Sequence, residues 1–184
     1  MNTSAEDPHV LVTFYSRGGL TERLAVLIAE GAIQGGASIR LRRARDLAPE
    51  DVVARVPGWK ESRDRMHAEY AEPRLADVEW AHVIAFGTPA LPGGLSPELG
   101  AFLDQIKVAK ELSKDEIRFA SAFSSTYRPD SEWTRRQLEI ELLDINYVVA
   151  PPPADRSPDD YERARAHGRW LARLAAPGRR SESR

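Results

Sequence analysis

No cysteine occurs among the 184 residues. Disulfides, thiolate nucleophiles, iron–sulfur clusters and cysteine-based zinc sites are thereby excluded, and a cytoplasmic location is expected. No stretch approaches the roughly 18 apolar residues that a membrane-spanning helix needs. The opening Met1-Asn2-Thr3-Ser4-Ala5-Glu6-Asp7 is polar and acidic, unlike a secretory leader, so no membrane partner is expected. An excess of one charge is also lacking. The 26 Lys and Arg stand against 28 Asp and Glu, a formal net charge of -2, which gives no reason to expect nucleic acid as a partner. Histidine is scarce: of the 4 present, His9, His67, His82 and His167, no two have the helical spacing of metal ligands, and no metal site is expected. Neither Ser124 nor Ser125 lies in a Gly-x-Ser-x-Gly elbow, which argues against a hydrolase.

What the chain does have is alternation. Short apolar runs at Val10 to Tyr15, Ser38 to Leu41, His82 to Phe86, Phe119 to Phe123 and Tyr147 to Ala150 read as five strands. Helical patterns fall between and after them at Leu20 to Ile33, Pro97 to Ile106, Ser131 to Asp144 and Pro158 to Leu174. Such alternation in a chain of this length predicts one α/β domain, a parallel sheet with helices on both faces. Ser96-Pro97-Glu98 and Ser157-Pro158-Asp159-Asp160 each offer a hydroxyl cap, a proline at the first helical position and early acidic charge. The segment Ala44 to Asp77 is polar and weakly periodic; it reads as a long excursion with a short helix after Pro49. Residues 1 to 8 read as a flexible N-terminus, 9 to 176 as the domain, and 177 to 184 as a disordered basic tail.

In an open parallel sheet the ligand crevice lies at the carboxyl ends of the strands, where the strand order reverses. Three loops converge there: Ser16 to Thr21, Thr88 to Leu95 and Ser124 to Asp130. The first is the most telling. An apolar strand ends in Ser16-Arg17-Gly18-Gly19-Leu20-Thr21 and opens a helix, so backbone N–H groups and a helix N-terminus converge on one spot. The loop lacks the lysine of a nucleoside-triphosphate loop and the glycine spacing of a dinucleotide turn. A single phosphate monoester suits it, with Ser16 and Thr21 offering hydroxyls and Gly18, Gly19, Leu20 and Thr21 offering N–H groups. An ordinary capped strand-to-helix turn is the competing reading of the same residues.

Three further groups bear on the crevice. His67, in the excursion, is the histidine able to approach it, whereas His9 and His82 sit at the opposite end of the sheet and His167 on the last helix. Tyr15, Tyr127 and Arg128 could hydrogen-bond a quinone or phenol. Trp80 and Trp170 are assigned to packing, Trp133 to the crevice or a partner subunit, and Trp59 to a substrate or dimer contact.

Phe14-Tyr15-Ser16 with Gly19-Leu20-Thr21-Glu22, Phe86-Gly87-Thr88-Pro89 with Leu103-Asp104-Gln105, and Ser124-Ser125-Thr126 together resemble flavodoxin-like FMN proteins. The nearest resemblance is to the WrbA-type NAD(P)H:quinone oxidoreductases, over about residues 9 to 175. It implies a flavodoxin-like three-layer sandwich with five parallel strands in the order 2-1-3-4-5. It also implies FMN as cofactor, NAD(P)H as reductant, a quinone or aromatic small molecule as acceptor, and a homodimer or homotetramer. FMN phosphate would be held by Ser16, Arg17, Gly18, Gly19, Leu20 and Thr21. Thr88, Pro89, Ala90, Leu91, Gly93 and Gly94 would meet the ring and ribityl chain, with Ser124, Ser125, Thr126 and Tyr127 closing the other side. Candidates for a catalytic group are Tyr127, Arg128 and His67.

The sequence departs from that family at the ring. An arginine, an aromatic and an asparagine are replaced by Leu91, Pro92 and Gly94, and a glycine-rich stretch by Tyr127-Arg128-Pro129-Asp130. A histidine before the fifth strand is replaced by Ile145, and the loop after that strand is cut to Pro152 through Arg156. These departures motivate an alternative expectation, a flavin-free pocket serving a non-redox biosynthetic step on an aromatic molecule. A flavodoxin acting as electron carrier is disfavoured by the near-neutral charge.

Overall fold

The computed structural model describes residues 7–112, 118–125, 129–153, 157 and 159–176. The elements, in chain order, are β1 (His9–Phe14), α1 (Leu20–Gln34), β2 (Ser38–Arg43), α2 (Glu50–Ala54), α3 (Trp59–Glu69), α4 (Leu75–Trp80), β3 (Val83–Gly87), α5 (Pro97–Leu112), β4 (Arg118–Phe123), α6 (Pro129–Asp144), β5 (Tyr147–Val149) and α7 (Asp160–Ala175). The five strands pair in the order β2-β1-β3-β4-β5, as the resemblance implies, and all pairings are parallel, as the alternation predicts. The expectations for residues 1–6 and 177–184 fall outside the described residues.

Side chains alternate across a strand, and each face of the sheet has its own core. Val10, Val12 and Phe14 pack with Leu24, Ile28, Leu171 and Ala172 on one face. Leu11, Ile84 and Phe86 pack with Leu99, Phe102, Leu138 and Leu142 on the other. On the first face α1 and α7 touch backbone to backbone. A Cβ on Gly168 would fall 1.9 Å from the Ile28 carbonyl oxygen, and one on Gly31 would fall 2.1 Å from that of Arg165, so only glycine fits at this crossing.

Three local readings need correction. The excursion holds three helices, α2 to α4, rather than one. Helix α3 buries only Trp59 and Met66, seven residues apart, so hydrophobic periodicity has almost nothing to register. Ion pairs hold it instead, including Arg65 to Glu22 and Arg63 to Glu50. The last helix begins two residues later than expected. Its cap is Asp159, whose carboxylate accepts the Tyr161 N–H, and the Ser157 hydroxyl accepts the Asp159 N–H. Helix α5 runs six residues beyond the expected Ile106.

Candidate functional site

The three expected loops meet at the carboxyl ends of β1, β3 and β4. At the first, Gly19 adopts φ +91°, and its N–H donates to the Ser16 hydroxyl at 3.1 Å. Helix α1 starts at Leu20, so the N–H groups of its first turn have no acceptor four residues back. Gly18 is exposed, with open space around its Cα. A corner of this kind binds an anion through backbone groups.

The hydroxyls are placed differently from the sequence reading. Ser16 and Thr21 are each 1% exposed; Ser16 closes the turn, and Thr21 Oγ1 lies 3.4 Å from Ser125 Oγ. Ser125 also accepts the Ala90 N–H at 2.9 Å. The Ser124 hydroxyl donates to the Thr88 carbonyl at 2.9 Å, and Thr88 Oγ1 accepts the Ser96 N–H at 3.2 Å. The hydroxyls thus lace the three loops together and leave the backbone donors to the ligand.

Glu22 puts a carboxylate in the first turn of α1, where it would compete with a bound anion. Arg65 grips both its oxygens, at 2.7 and 2.6 Å, and the Tyr70 hydroxyl donates at 3.0 Å. Burial works against the charge, but the guanidinium and the hydroxyl outweigh it and hold the carboxyl below the usual carboxylate range. With Glu22 neutralised by its own partners, the corner keeps its positive potential.

The ring-side loop is a tight turn. The Gly94 N–H donates to the Leu91 carbonyl at 3.0 Å, with Gly93 and Gly94 at φ +98° and +97°. Gly93 faces open space, whereas a Cβ on Gly94 would lie 1.7 Å from Gln137 Oε1. Gly94 thus packs against α6, and both glycines take the positive φ that the turn needs. Pro89 is buried, Leu91 half-buried and Ala90 exposed. Thr126, Tyr127 and Arg128 lie outside the described residues.

Beneath the first loop is a polar cluster. Arg43, 2% exposed, donates to the Ser16 carbonyl at 3.2 Å and to Asp46 at 2.5 Å. Asp46 also accepts from the Tyr15 hydroxyl at 2.9 Å and from Trp59 Nε1 at 3.4 Å. Arg17 stacks on the Trp59 ring, its guanidinium carbon 4.1 Å from the centroid. Two expectations fail here. Trp59 is 4% exposed, a platform for the loop rather than a substrate or dimer contact. Tyr15 is fully buried, and burial, then the Glu98 and Asp46 carboxylates, push its pKa above the usual phenol range, so it does not face an acceptor.

The excursion contributes a second feature. A polar cleft of about 420 Å³ lies between the loop after β2 and α3, lined by Arg45, Asp46, Ala48, Arg63, Asp64 and His67. His67 belongs to this cleft. His9 and His82 stack at the opposite end of the sheet, ring centroids 4.9 Å apart, and His167 is buried against Ser121, Nε2 to Oγ 2.9 Å. Trp80 and Trp170 pack at the edges of the two cores, and Trp133 is 67% exposed on α6. Among the described residues no group of three His, Cys, Asp or Glu could hold a metal, and no helix is long and apolar enough to cross a membrane.

The chain is 30% identical, over 143 residues, to an NAD(P)H dehydrogenase (quinone) of Deinococcus radiodurans, covering 77% of this chain and 71% of that one. The chain belongs to the NAD(P)H dehydrogenase (quinone) family. A relative from Rhizobium meliloti, NAD(P)H dehydrogenase (quinone) 3, is 36% identical over 146 residues, 78% of this chain and 66% of its own. One from Archaeoglobus fulgidus is 31% identical over 150 residues, 79% of this chain and 77% of its own. This chain thus spans two thirds to three quarters of the length of these family members. No protein-family model matches it. Among solved structures, a flavodoxin, WrbA-like protein from Agrobacterium tumefaciens superposes with a TM-score of 0.60 at 24% identity, covering 92% of this chain and 98% of that one. A flavodoxin from the domain Archaea superposes equally, 0.60 at 13% identity over 91% and 98%. These two likenesses establish the flavodoxin-like fold of this family member.

Sequence reasoning passed over Asp46, Arg43 and the Glu22–Arg65 pair. Only proximity in the fold joins residues 22 and 65, and no local pattern announces it. For Asp46 there was a signal: a lone acid three residues after the arginine that ends a strand.

Proposed function

We propose that this chain is an FMN-dependent NAD(P)H oxidoreductase that reduces a quinone or related aromatic acceptor by two electrons, acting in the cytoplasm as a homodimer or homotetramer. The observation that carries the flavin is the anion corner. Its first-turn N–H groups lack helical partners, its one carboxylate is neutralised by Arg65 and Tyr70, and hydroxyls tie it to both other loops.

The residues present fit the cofactor at both ends, by different means. The phosphate would rest on the N–H groups of Gly18, Leu20 and Thr21, with the Ser16 hydroxyl still able to donate. The ring and ribityl chain would lie against Pro89, Ala90 and Leu91, with Gly93 leaving room and Ser125, Thr126 and Tyr127 on the other side. A bound flavin supplies the hydride acceptance and donation that joins a nicotinamide to a quinone; the protein supplies position and electrostatics. Arg43 and Asp46 keep the corner rigid from below, and Arg17 is held at its rim by Trp59. Tyr127 and Arg128 are the groups proposed to orient the acceptor. The names of the relatives speak for quinone reduction and lend nothing to a flavin-free biosynthetic pocket.

The test is the visible spectrum of the protein after incubation with FMN and removal of the excess, followed by NAD(P)H oxidation with a benzoquinone. Retained flavin bands and acceptor-dependent turnover are expected. A protein that emerges colourless from saturating FMN contradicts the proposal.

A further inference from the structure

The cleft beside α3 has no role in holding flavin, yet it lies in line with the flavin site. The sheet order β2-β1-β3-β4 sets three features in a row at the carboxyl ends of the strands: the cleft after β2, the anion corner after β1, and the ring loops after β3 and β4. At the usual strand spacing the cleft and the ring loops are two to three strands apart, roughly 10 to 15 Å. The cleft also touches the corner through contacts already described. Arg17 of the first loop stacks on Trp59, Trp59 donates to Asp46, and Asp46 lines the cleft.

The charges of the lining are unevenly engaged. Asp46 is taken up by Arg43, Tyr15 and Trp59. Asp64 is bridged by Lys60 and Arg63, and Arg63 also holds both oxygens of Glu50. Arg45 is exposed, and no described residue pairs with it. It stands across the cleft from His67, whose imidazole is a second donor. Both carboxylates of the lining are thus neutralised, one cation is in surplus, and the space admits a phosphate with a sugar attached.

We infer that this cleft binds the 2′-phosphate of NADPH, with Arg45 as the principal contact, so that the dinucleotide lies across the flavin site from the ring loops to the β2 end and NADPH is preferred to NADH. This rests on the flavin reading above. A dinucleotide whose nicotinamide meets the ring must carry its adenosine half some distance along the row of strand ends. Toward β5 the row ends in a three-residue edge strand; toward β2 it offers a guanidinium that no described residue pairs with.

The test is calorimetric titration of the full chain, with FMN in excess to fill the corner, by adenosine 2′,5′-bisphosphate and by 5′-AMP. The bisphosphate is expected to bind about tenfold tighter or more, as one charge-assisted contact supplies. Arg45→Ala should remove most of that difference, Arg45→Lys should keep part of it, and added salt should erode it. The ratio of KM for NADH to KM for NADPH should fall in parallel. Equal affinity for the two nucleotides, or a preference that survives both Arg45→Ala and His67→Gln, overturns the inference. Flavin retention is read separately from the absorption spectrum. Bound flavin without a 2′-phosphate preference removes only the cleft assignment. An Arg45-dependent preference without bound flavin removes the flavin reading and the path across it, and leaves the 2′-phosphate contact alone.

Discussion

The two ends of the parallel sheet use the same residue types to opposite effect. At the amino ends of β1 and β3 the rings and charges engage one another. His9 stacks on Trp80 and on His82, centroids 4.3 and 4.9 Å away, and Arg40 covers Trp80 at 4.2 Å. Asp77 meets Arg40, Arg42 and the Arg74 N–H, each at 3.1 Å. At the carboxyl ends donors and acceptors are left over. The first-turn N–H groups of α1 lack helical acceptors, and Arg17 Nε, Glu98 Oε2 and Gln137 Oε1 are buried without a hydrogen-bond partner among the described residues. Burying an unmatched polar group is costly. The free first-turn N–H groups, with these atoms close by where the loops meet, suit that end to a ligand.

Changes at the two ends should therefore behave differently. The largest effect is expected from Asp46→Ala, which strips Arg43, 2% exposed, of its counter-ion; a loss of about 3 to 5 kcal/mol in denaturant unfolding should follow, together with weaker FMN binding. Asp46→Asn, which keeps the hydrogen-bonding shape, should cost less.

Acid provides a change that favours neither end. Burial, with the Arg135 charge second, pushes the His167 pKa down to about 3, whereas in the unfolded chain it titrates near 6.5. The unfolded state binds the proton first, so the contribution of neutral His167 is complete above about pH 6.5 and falls as pH drops from there toward 3, by at most about 1.4 kcal/mol per pH unit. Thermal unfolding between pH 7.5 and 5 should show this slope, and His167→Gln should flatten it.

Thr21→Val, at the ligand end, should lower FMN affinity by about 1 kcal/mol, the worth of one hydrogen bond, through the lost link to Ser125, with little change in melting temperature. His9→Phe, at the other end, keeps the stacking and loses the Trp80 carbonyl contact of 3.2 Å. It should cost about 0.5 to 1 kcal/mol of stability and leave FMN affinity where it was. Equal sensitivity of flavin binding to both changes would sink the distinction between the ends.

How much of this was legible in the sequence depends on range. The five strands follow from apolar runs and helical spacing, because burial on both faces writes itself into local pattern; their order comes only through the family resemblance. The Ser16 to Thr21 corner was also legible, since a strand, a glycine turn and a helix start are consecutive. Helix α3 was not, because ion pairs to Glu22 and Glu50 hold it and only two of its residues are buried. The reversal at Trp59 has the same origin: an indole is read from sequence as a contact surface, and nothing local shows that Arg17 and Asp46 enclose it.

The most direct test of the account compares FMN with riboflavin, which differ only in the phosphate. If backbone N–H groups at the α1 corner are the principal hold on the cofactor, FMN should bind at least about tenfold tighter than riboflavin, since charge-assisted hydrogen bonds contribute about 1.5 to 3 kcal/mol each. The preference should also shrink as salt is added. Equal affinities for the two flavins, or no measurable binding of either, would contradict the assignment of the corner as a phosphate site.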